Sequence, residues 1–425
     1  MSQLQRETLE ILTECDAIPD LSFDLARIKE GAGLGFAEDI PDCAFAASKI
    51  ASLRDIERAN PGFLAEVKAV YAQGPGILPD PETSVPVQQL ASALLATDPT
   101  FLEDDRTCAD YGTLRKLQSL LLVSRKKIRT ADVEARIQSN NIHETIYQSG
   151  KSEDARAWLH AIPKTEALTL HPAEFRTALR SRLLINHPQL LAHSDCTCGK
   201  SVDPLGIHMQ KCPLDRNLTN NTHNRLVECL AEMMRSCGRS VRVEVTGVFN
   251  NVDPTSHQRM DLVAFIPGRP NALYDVVATN PVTAEVEVTE TVNLTQTNKH
   301  AQIKKRRYAE KALAAGMTMR GLPIETYGKW GGDFTVMFNH FISLGASSSH
   351  LPQAVLANYW RRRISVCLQK GVANAINTRT NRLTAQTLIA GPHTGQGESF
   401  YPGVIEDQAE AFRDGVLLAW GEESD

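Results

Sequence analysis

Within residues 196–212, "CTCGKSVDPLGIHMQKC", Cys196, Cys198, His208 and Cys212 gather three thiols and an imidazole into one short stretch. Thiolate and imidazole are the donors that tetrahedral Zn2+ prefers. Two ligands on a tight turn and two more at a helix start is a common way for one chain to supply them. Gly199 follows the C-x-C pair and Gly206 stands just before the H-x3-C pair, where the chain must bend. No fifth donor accompanies the four, so the expectation is a closed, structural zinc staple with no open catalytic position. The alternative is three unrelated buried cysteines and a surface histidine. Cys15, Cys43, Cys108, Cys229 and Cys367 lie scattered and read as core thiols.

Carboxylates stand in two strands where apolar side chains are expected. "MDLVAFI" sets Asp261, Val263 and Phe265 on one face and Leu262, Ala264 and Ile266 on the other. "ALYDVVAT" sets Leu273, Asp275 and Val277 against Tyr274, Val276 and Ala278. Strands apolar on both faces are buried on both, and a buried carboxylate is costly unless it is paired or bound to a cation. Two that meet on neighbouring strands repel, and a divalent metal is the simplest resolution. The alternative is that each caps its strand or pairs with a local arginine such as Arg259. Glu244, in "SVRVEVTGV", is either a further ligand or part of a solvated strand face. In "KHAQIKKRRYAEKALAAG", Lys304 and Tyr308 are four apart and share a helix face; Lys305, Arg306 and Arg307 suit either solvent or phosphate. Two acids, a cation and a lysine are the parts that attack a phosphodiester. The metal activates water and neutralises charge, while the lysine positions the nucleophile or stabilises pentacovalent phosphorus.

The elements that must position these groups follow from periodicity and punctuation. Residues 1–150 read as helices broken by Pro and Gly, with the clearest linker at 73–86, "QGPGILPDPETSVP"; Asp104 and Asp105 read as an exposed turn. Residues 151–195 form a helical connector with Phe175, Leu179, Leu183 and Leu184 on one face. The cluster occupies 196–215. Then come a helix carrying Leu226, Leu230 and Met233 or Met234 and ending at Gly238, and strands at 240–248, 260–266 and 272–279. A basic helix follows at 296–315, then the run "LPIETYG" and helices to about residue 382. That order is α/β, with a core over 216–345 and basic helices and an acidic tail over 346–425.

A net charge of -5 argues against wholesale nucleic-acid binding only until it is resolved along the chain. Residues 1–58 carry twelve acids against six Lys or Arg, and 398–425 carry eight acids against Arg413 alone, so the stretch between carries +8. Residues 334–397 hold Arg361, Arg362, Arg363, Lys370, Arg379 and Arg382 and no acid, which suits a polyanion. Nine cysteines are an odd number, and neither a leader nor a membrane span is apparent. An intracellular chain with reduced thiols and no membrane partner is therefore expected.

Taken in order, C-x-C, H-x3-C, His223-Asn224, Arg259-x-Asp261, Asp275 and Lys304-x3-Tyr308 resemble the restriction-like endonuclease at the C-terminal end of site-specific non-LTR retrotransposon proteins. There a CCHC zinc knuckle precedes an R-H-N helix, an R/K-P-D strand, a second acid, and a lysine and tyrosine on a helix. "AWLHAIP" resembles the family's connector, so the likeness covers about residues 155–375. It implies a PD-(D/E)XK fold, a restriction-endonuclease-like mixed sheet flanked by helices, and a DNA-nicking enzyme with structural zinc and catalytic Mg2+ or Mn2+. Asp261 and Asp275 would be metal ligands and Lys304 the catalytic lysine, with Tyr308 and Glu244 beside them. DNA would be met by His223, Asn224, Arg259, Lys305, Arg306, Arg307, Arg361, Arg362 and Arg363. A nuclear location follows, with RNA or a separate reverse transcriptase as further partners. Thr222 stands in place of the arginine before His-Asn, Met260 in place of the proline before Asp261, and the knuckle spacing differs by about a residue. Nothing before the connector resembles a polymerase, which implies a truncated or free-standing relative. Two other classes are a non-catalytic nucleic-acid-binding or assembly protein that retains the nuclease fold, and an interaction module built on the acidic ends.

Overall fold

A computed structural model of the chain describes residues 2–74, 85–98, 100–102, 110–111, 116–265, 268, 270–282 and 295–390. The side chains of 295–298, 300, 301, 304 and 387–390 lie outside that description, as do Asp104, Asp105, Cys108, most of the 73–86 linker and the acidic tail. Met1–Arg382 form one compact unit; of a second, Leu383–Asp425, only the end of a helix is described.

The first third is helical, as its punctuation predicts: α1 (Ser2–Thr13), α2 (Asp20–Arg27), α3 (Asp39–Ala51), α4 (Leu53–Ala59), α5 (Phe63–Ala72), α6 (Val85–Thr97) and α7 (Leu117–Gln138). On α6, Val87, Leu90, Ala91 and Leu94 recur at three- and four-residue spacing and are buried with Ile50, Val67 and Leu121 of α3, α5 and α7. α1 and α2 belong to a different core. Leu9, Phe23 and Leu25 pack there with Trp158, Leu179 and Leu183 of the connector, Ile207 beside the cysteine cluster, and Val366. Packing thus runs across the boundary expected at residue 150.

α8 (Asn141–Gly150) precedes the connector, which contains α9 (Glu153–Arg156) and α10 (Pro172–Arg182). α10 starts at Pro172, whose missing N–H costs nothing at that position, and the Glu174 carboxylate accepts the His171 backbone N–H at 2.9 Å. It buries Leu179 and hands on to Leu183 and the left-handed Leu184 (φ 58°), also buried. α11 (Ile207–Lys211) and α12 (Arg216–Ser236) follow. α12 buries Leu226, Leu230, Met233 and Met234 and stops where Gly238 (φ 76°) donates to the Arg235 carbonyl at 2.9 Å.

Beyond it lie β1 (Ser240–Thr246), β2 (Arg259–Phe265), β3 (Ala272–Thr279), α13 (Thr295–Ala314), β4 (Thr318–Glu325), α14 (Gly332–Ser349) and α15 (Gln353–Ala390). The sheet order is β1-β2-β3-β4, antiparallel between the first three and parallel between β3 and β4. Parallel neighbours require a crossover, and α13 lies within it. Val263 and Leu273 pack on Tyr308 and Ala312 of α13, whereas Tyr274, which points the other way, meets Phe341 of α14 edge-on at 6.2 Å. Helices therefore cover both faces, and the fold is mixed α/β around a four-stranded mixed sheet. β1 stops two residues before the expected end because Gly247 (φ 69°) begins a turn closed by the Asn250 N–H on its carbonyl. "LPIE" proves to be the buried half of β4, whose exposed first half breaks the apolar pattern. No helix among the described residues is long and apolar enough to cross a membrane.

Candidate functional site

The cysteine cluster is built by two short devices. Gly199 (φ 79°) lets a tight turn close: its N–H donates to the Cys196 carbonyl at 2.8 Å, and Cys196 N–H to the Lys200 carbonyl at 2.8 Å. The Asp203 carboxylate then accepts the N–H groups of Ile207 and His208 at 2.8 and 2.6 Å. That fixes the first turn of α11 and with it the two later ligands. Cys196 Sγ and Cys212 Sγ are 3.7 Å apart, Cys198 Sγ and His208 Nε2 3.3 Å, and all four ligand atoms lie within 4.8 Å of one another. Tetrahedral Zn–S bonds of about 2.3 Å set sulfurs about 3.8 Å apart. Burial draws the His208 pKa below its ordinary value, favouring the neutral imidazole that ligates. The four residues form a group that could hold a metal ion such as zinc.

The cluster is anchored to the helices around it. Buried Arg379 of α15 donates to the carbonyls of Met209 and Asp215 and to Thr219 Oγ1. Buried His187 lies under Gly206, where a Cβ would meet its ring at 3.3 Å. Desolvation pushes the His187 pKa from 6.5 down to about 4. The unfolded chain therefore takes up a proton that the folded chain refuses, so this contribution is complete above about pH 6.5 and is lost as pH falls toward 4. It amounts to about 3 kcal/mol. In urea unfolding between pH 7 and pH 4.5, a His187→Leu chain should lose less stability than the wild type. Equal losses would exclude His187 as a source of the acid sensitivity.

The carboxylates occupy one row of the sheet. β1 pairs with β2 through Val243–Leu262 and Val245–Met260, so Glu244 stands opposite Asp261. β2 pairs with β3 up to Leu262–Tyr274, and one further step of that register sets Asp261 opposite Asp275. Asp275 in turn partners Gly321 on β4, which has no side chain to fill the adjoining place. The β1–β2 ladder skips this row, and the β2–β3 ladder ends one pair before it. The Asp261 carboxylate, not a backbone carbonyl, accepts the Val276 N–H at 2.7 Å, and it lies 3.3 Å from His223 Nε2 of α12. Asp261 and Asp275 are only 8% and 5% exposed. The alternative of an ion pair between Asp261 and Arg259 is not found: Arg259 Nε lies 2.6 Å from Glu244 Oε2.

Glu244 has a left-handed backbone, φ 55°, in the middle of a strand. Such a conformation costs on the order of 1–3 kcal/mol for a non-glycine residue. Its pair with Arg259 is half in solvent and is charge on charge without an aligned hydrogen bond, worth at most about 1 kcal/mol. The flanking pairs must therefore hold the kink. Tyr308 is buried over the neighbouring Val263 and Leu273 and stacks on Phe249 at 6.4 Å, so this residue of α13 packs on the sheet. Lys304 lies one turn earlier on α13 with its side chain outside the described residues. Among the described residues, the only three or more acid, thiol or imidazole donors that converge within 4.8 Å are the Cys/His four; Glu244 is turned to Arg259.

The basic stretch departs from expectation. Arg361 pairs with Asp154 at 2.9 Å and lies over Phe338; Arg363 pairs with Glu232, Lys370 with Glu166, and Arg382 with Asp215. These acids come from outside the acid-free stretch, so its charge is largely met within the fold. Arg362 makes no ion pair with a described residue. Lys305, Arg306 and Arg307 are exposed on α13, as is Asn224 on α12. A scan against protein-family models finds no match, nor does a search of curated proteins.

Proposed function

We propose that the chain is a metal-dependent DNA endonuclease with a restriction-endonuclease-like core and a structural zinc knuckle. The observation that carries this reading is the row Glu244, Asp261, Asp275 and Gly321: acids on three adjacent strands, two of them buried, beside a place without a side chain. The order helix, three antiparallel strands, helix, parallel strand supports it, as does Tyr308 over the same face. Zinc is the ion proposed for Cys196, Cys198, His208 and Cys212, since four soft or borderline donors leave no open position. Mg2+ or Mn2+ is proposed for Asp261 and Asp275; such ions are commonly held by one or two carboxylates plus water and phosphate. Bound there, the cation would supply Lewis acidity and an activated water. The chain's own part is to hold Asp261 rigid through Val276 N–H and His223, to exclude water with Tyr308, and to bring Lys304 to the developing charge at phosphorus.

Incubation with supercoiled plasmid tests this directly: nicking with Mg2+ or Mn2+ and none without is expected. Protein that binds DNA but leaves it intact with either ion would instead favour a non-catalytic binding role. Binding should depend on salt through the exposed cations. Reversing Lys305, Arg306 and Arg307 to Glu should flatten the slope of log affinity against log salt by about 0.9 for each phosphate that the helix no longer neutralises. An unchanged slope would show that this helix face meets only solvent.

A further inference from the structure

A cavity of about 350 Å³ lies between the end of the cysteine cluster, the first turns of α12, the ends of β3 and β4, and α15. Lys211, Arg216, Asn220, Asn280 and Thr326 line it, with Ala375 on its α15 wall; no described residue that lines it is acidic. Arg216 makes no ion pair with a described residue, and Lys211 Nζ is fixed by the Val282 carbonyl at 2.7 Å. The positive end of the 21-residue helix α12 adds to the same field. Thr326 is 9% exposed, and its Oγ1, buried among the lining residues, has no hydrogen-bond partner among the described residues. The volume exceeds what a lone phosphate fills.

Its place relates it to the carboxylate row. Asn220 is one helical turn from His223, on the same side of α12, and His223 Nε2 lies 3.3 Å from the Asp261 carboxylate.

We propose that this cavity binds one nucleotide of the nucleic-acid strand, its phosphate on Lys211 and Arg216 and its sugar and base in the cavity. The cysteine cluster thereby contributes to substrate binding as well as to folding. The position beside the cut rests on the nuclease reading; occupancy of the cavity is read apart from cutting.

Isothermal titration of the zinc-loaded chain with deoxyadenosine 3′,5′-bisphosphate, without Mg2+, tests it. One equivalent should bind, more tightly than inorganic phosphate or deoxyadenosine alone. Arg216→Glu, an exposed change, should weaken binding about tenfold or more, a difference of about 1.4 kcal/mol. Ala375→Leu, checked for native circular dichroism, should block it, and Asp261→Asn should leave it unchanged. No binding by the wild type, binding by Arg216→Glu equal to wild type, or loss of binding in Asp261→Asn would each overturn the site. A chain that nicks plasmid but binds no bisphosphate loses this proposal alone; one that binds it but never nicks loses only the nuclease reading.

Discussion

Asp261→Ala and Asp275→Ala should each lower Mg2+-dependent nicking by about a thousandfold or more while the protein still folds and binds DNA. The size follows from losing a cation that stabilises transition-state charge by several kcal/mol, at about 1.4 kcal/mol per decade of rate. Folding should survive because each substitution removes one of two adjacent buried charges that repel when no cation lies between them; Asp261→Asn, which keeps an acceptor for the Val276 N–H, controls for the hydrogen bond that Asp261→Ala loses. Lys304→Ala should lose cutting and keep metal binding, since its task is at the phosphate. Lys305→Ala is the control: about 100° around the helix from Lys304, it should cut nearly as well as wild type. Gel assays of nicking and of DNA binding on these variants decide the matter. Wild-type rates from Asp275→Ala would remove the carboxylate row as the centre; failure of Lys305→Ala with normal cutting by Lys304→Ala would move the register of α13 by one residue.

Purified protein should contain one zinc per chain, and Cys198→Ser should abolish it. Structural zinc supplies folding free energy on the order of 10 kcal/mol in small modules, comparable with the whole stability of a domain. The damage should reach beyond the knuckle, because Ile207 belongs to the core that joins α1 and α2 to the connector and Arg379 bonds the carbonyls on both sides of Cys212. Chelation should therefore lower the thermal midpoint of the whole unit and not of an isolated finger. Elemental analysis showing no zinc, or a Cys198→Ser chain with wild-type melting, would refute the staple.

Sequence alone showed the metal-ligand group because its donors are local: a turn and a short helix bring together residues at most sixteen apart. It showed the strands and α13 because apolar alternation and three-to-four spacing report directly on burial. The opposition of Asp261 and Asp275 was legible as an anomaly, two acids among apolar neighbours, but Glu244 was not, since on an edge strand a solvated face and a kinked one have the same pattern. The basic stretch misled for a related reason. Charge counted along a chain ignores acids brought in by tertiary packing, and Asp154, Glu232 and Glu166 come from up to about two hundred residues away. The nucleotide cavity had no signal at all, because its walls come from five separate elements.

The single parallel pairing in the sheet bears on the order of events in folding. β1, β2 and β3 are consecutive antiparallel neighbours, so their pairing closes short loops, whereas β3 meets β4 only after residues 280–317 have been traversed. Chain-closure entropy grows with that separation and slows non-local pairing. The meander that aligns Glu244, Asp261 and Asp275 can thus form while β4 and α13 are still undocked. In a nascent chain the acid row would face bulk solvent before Tyr308 covers it, leaving time for hydrated cations to exchange there before the lid of the sheet arrives.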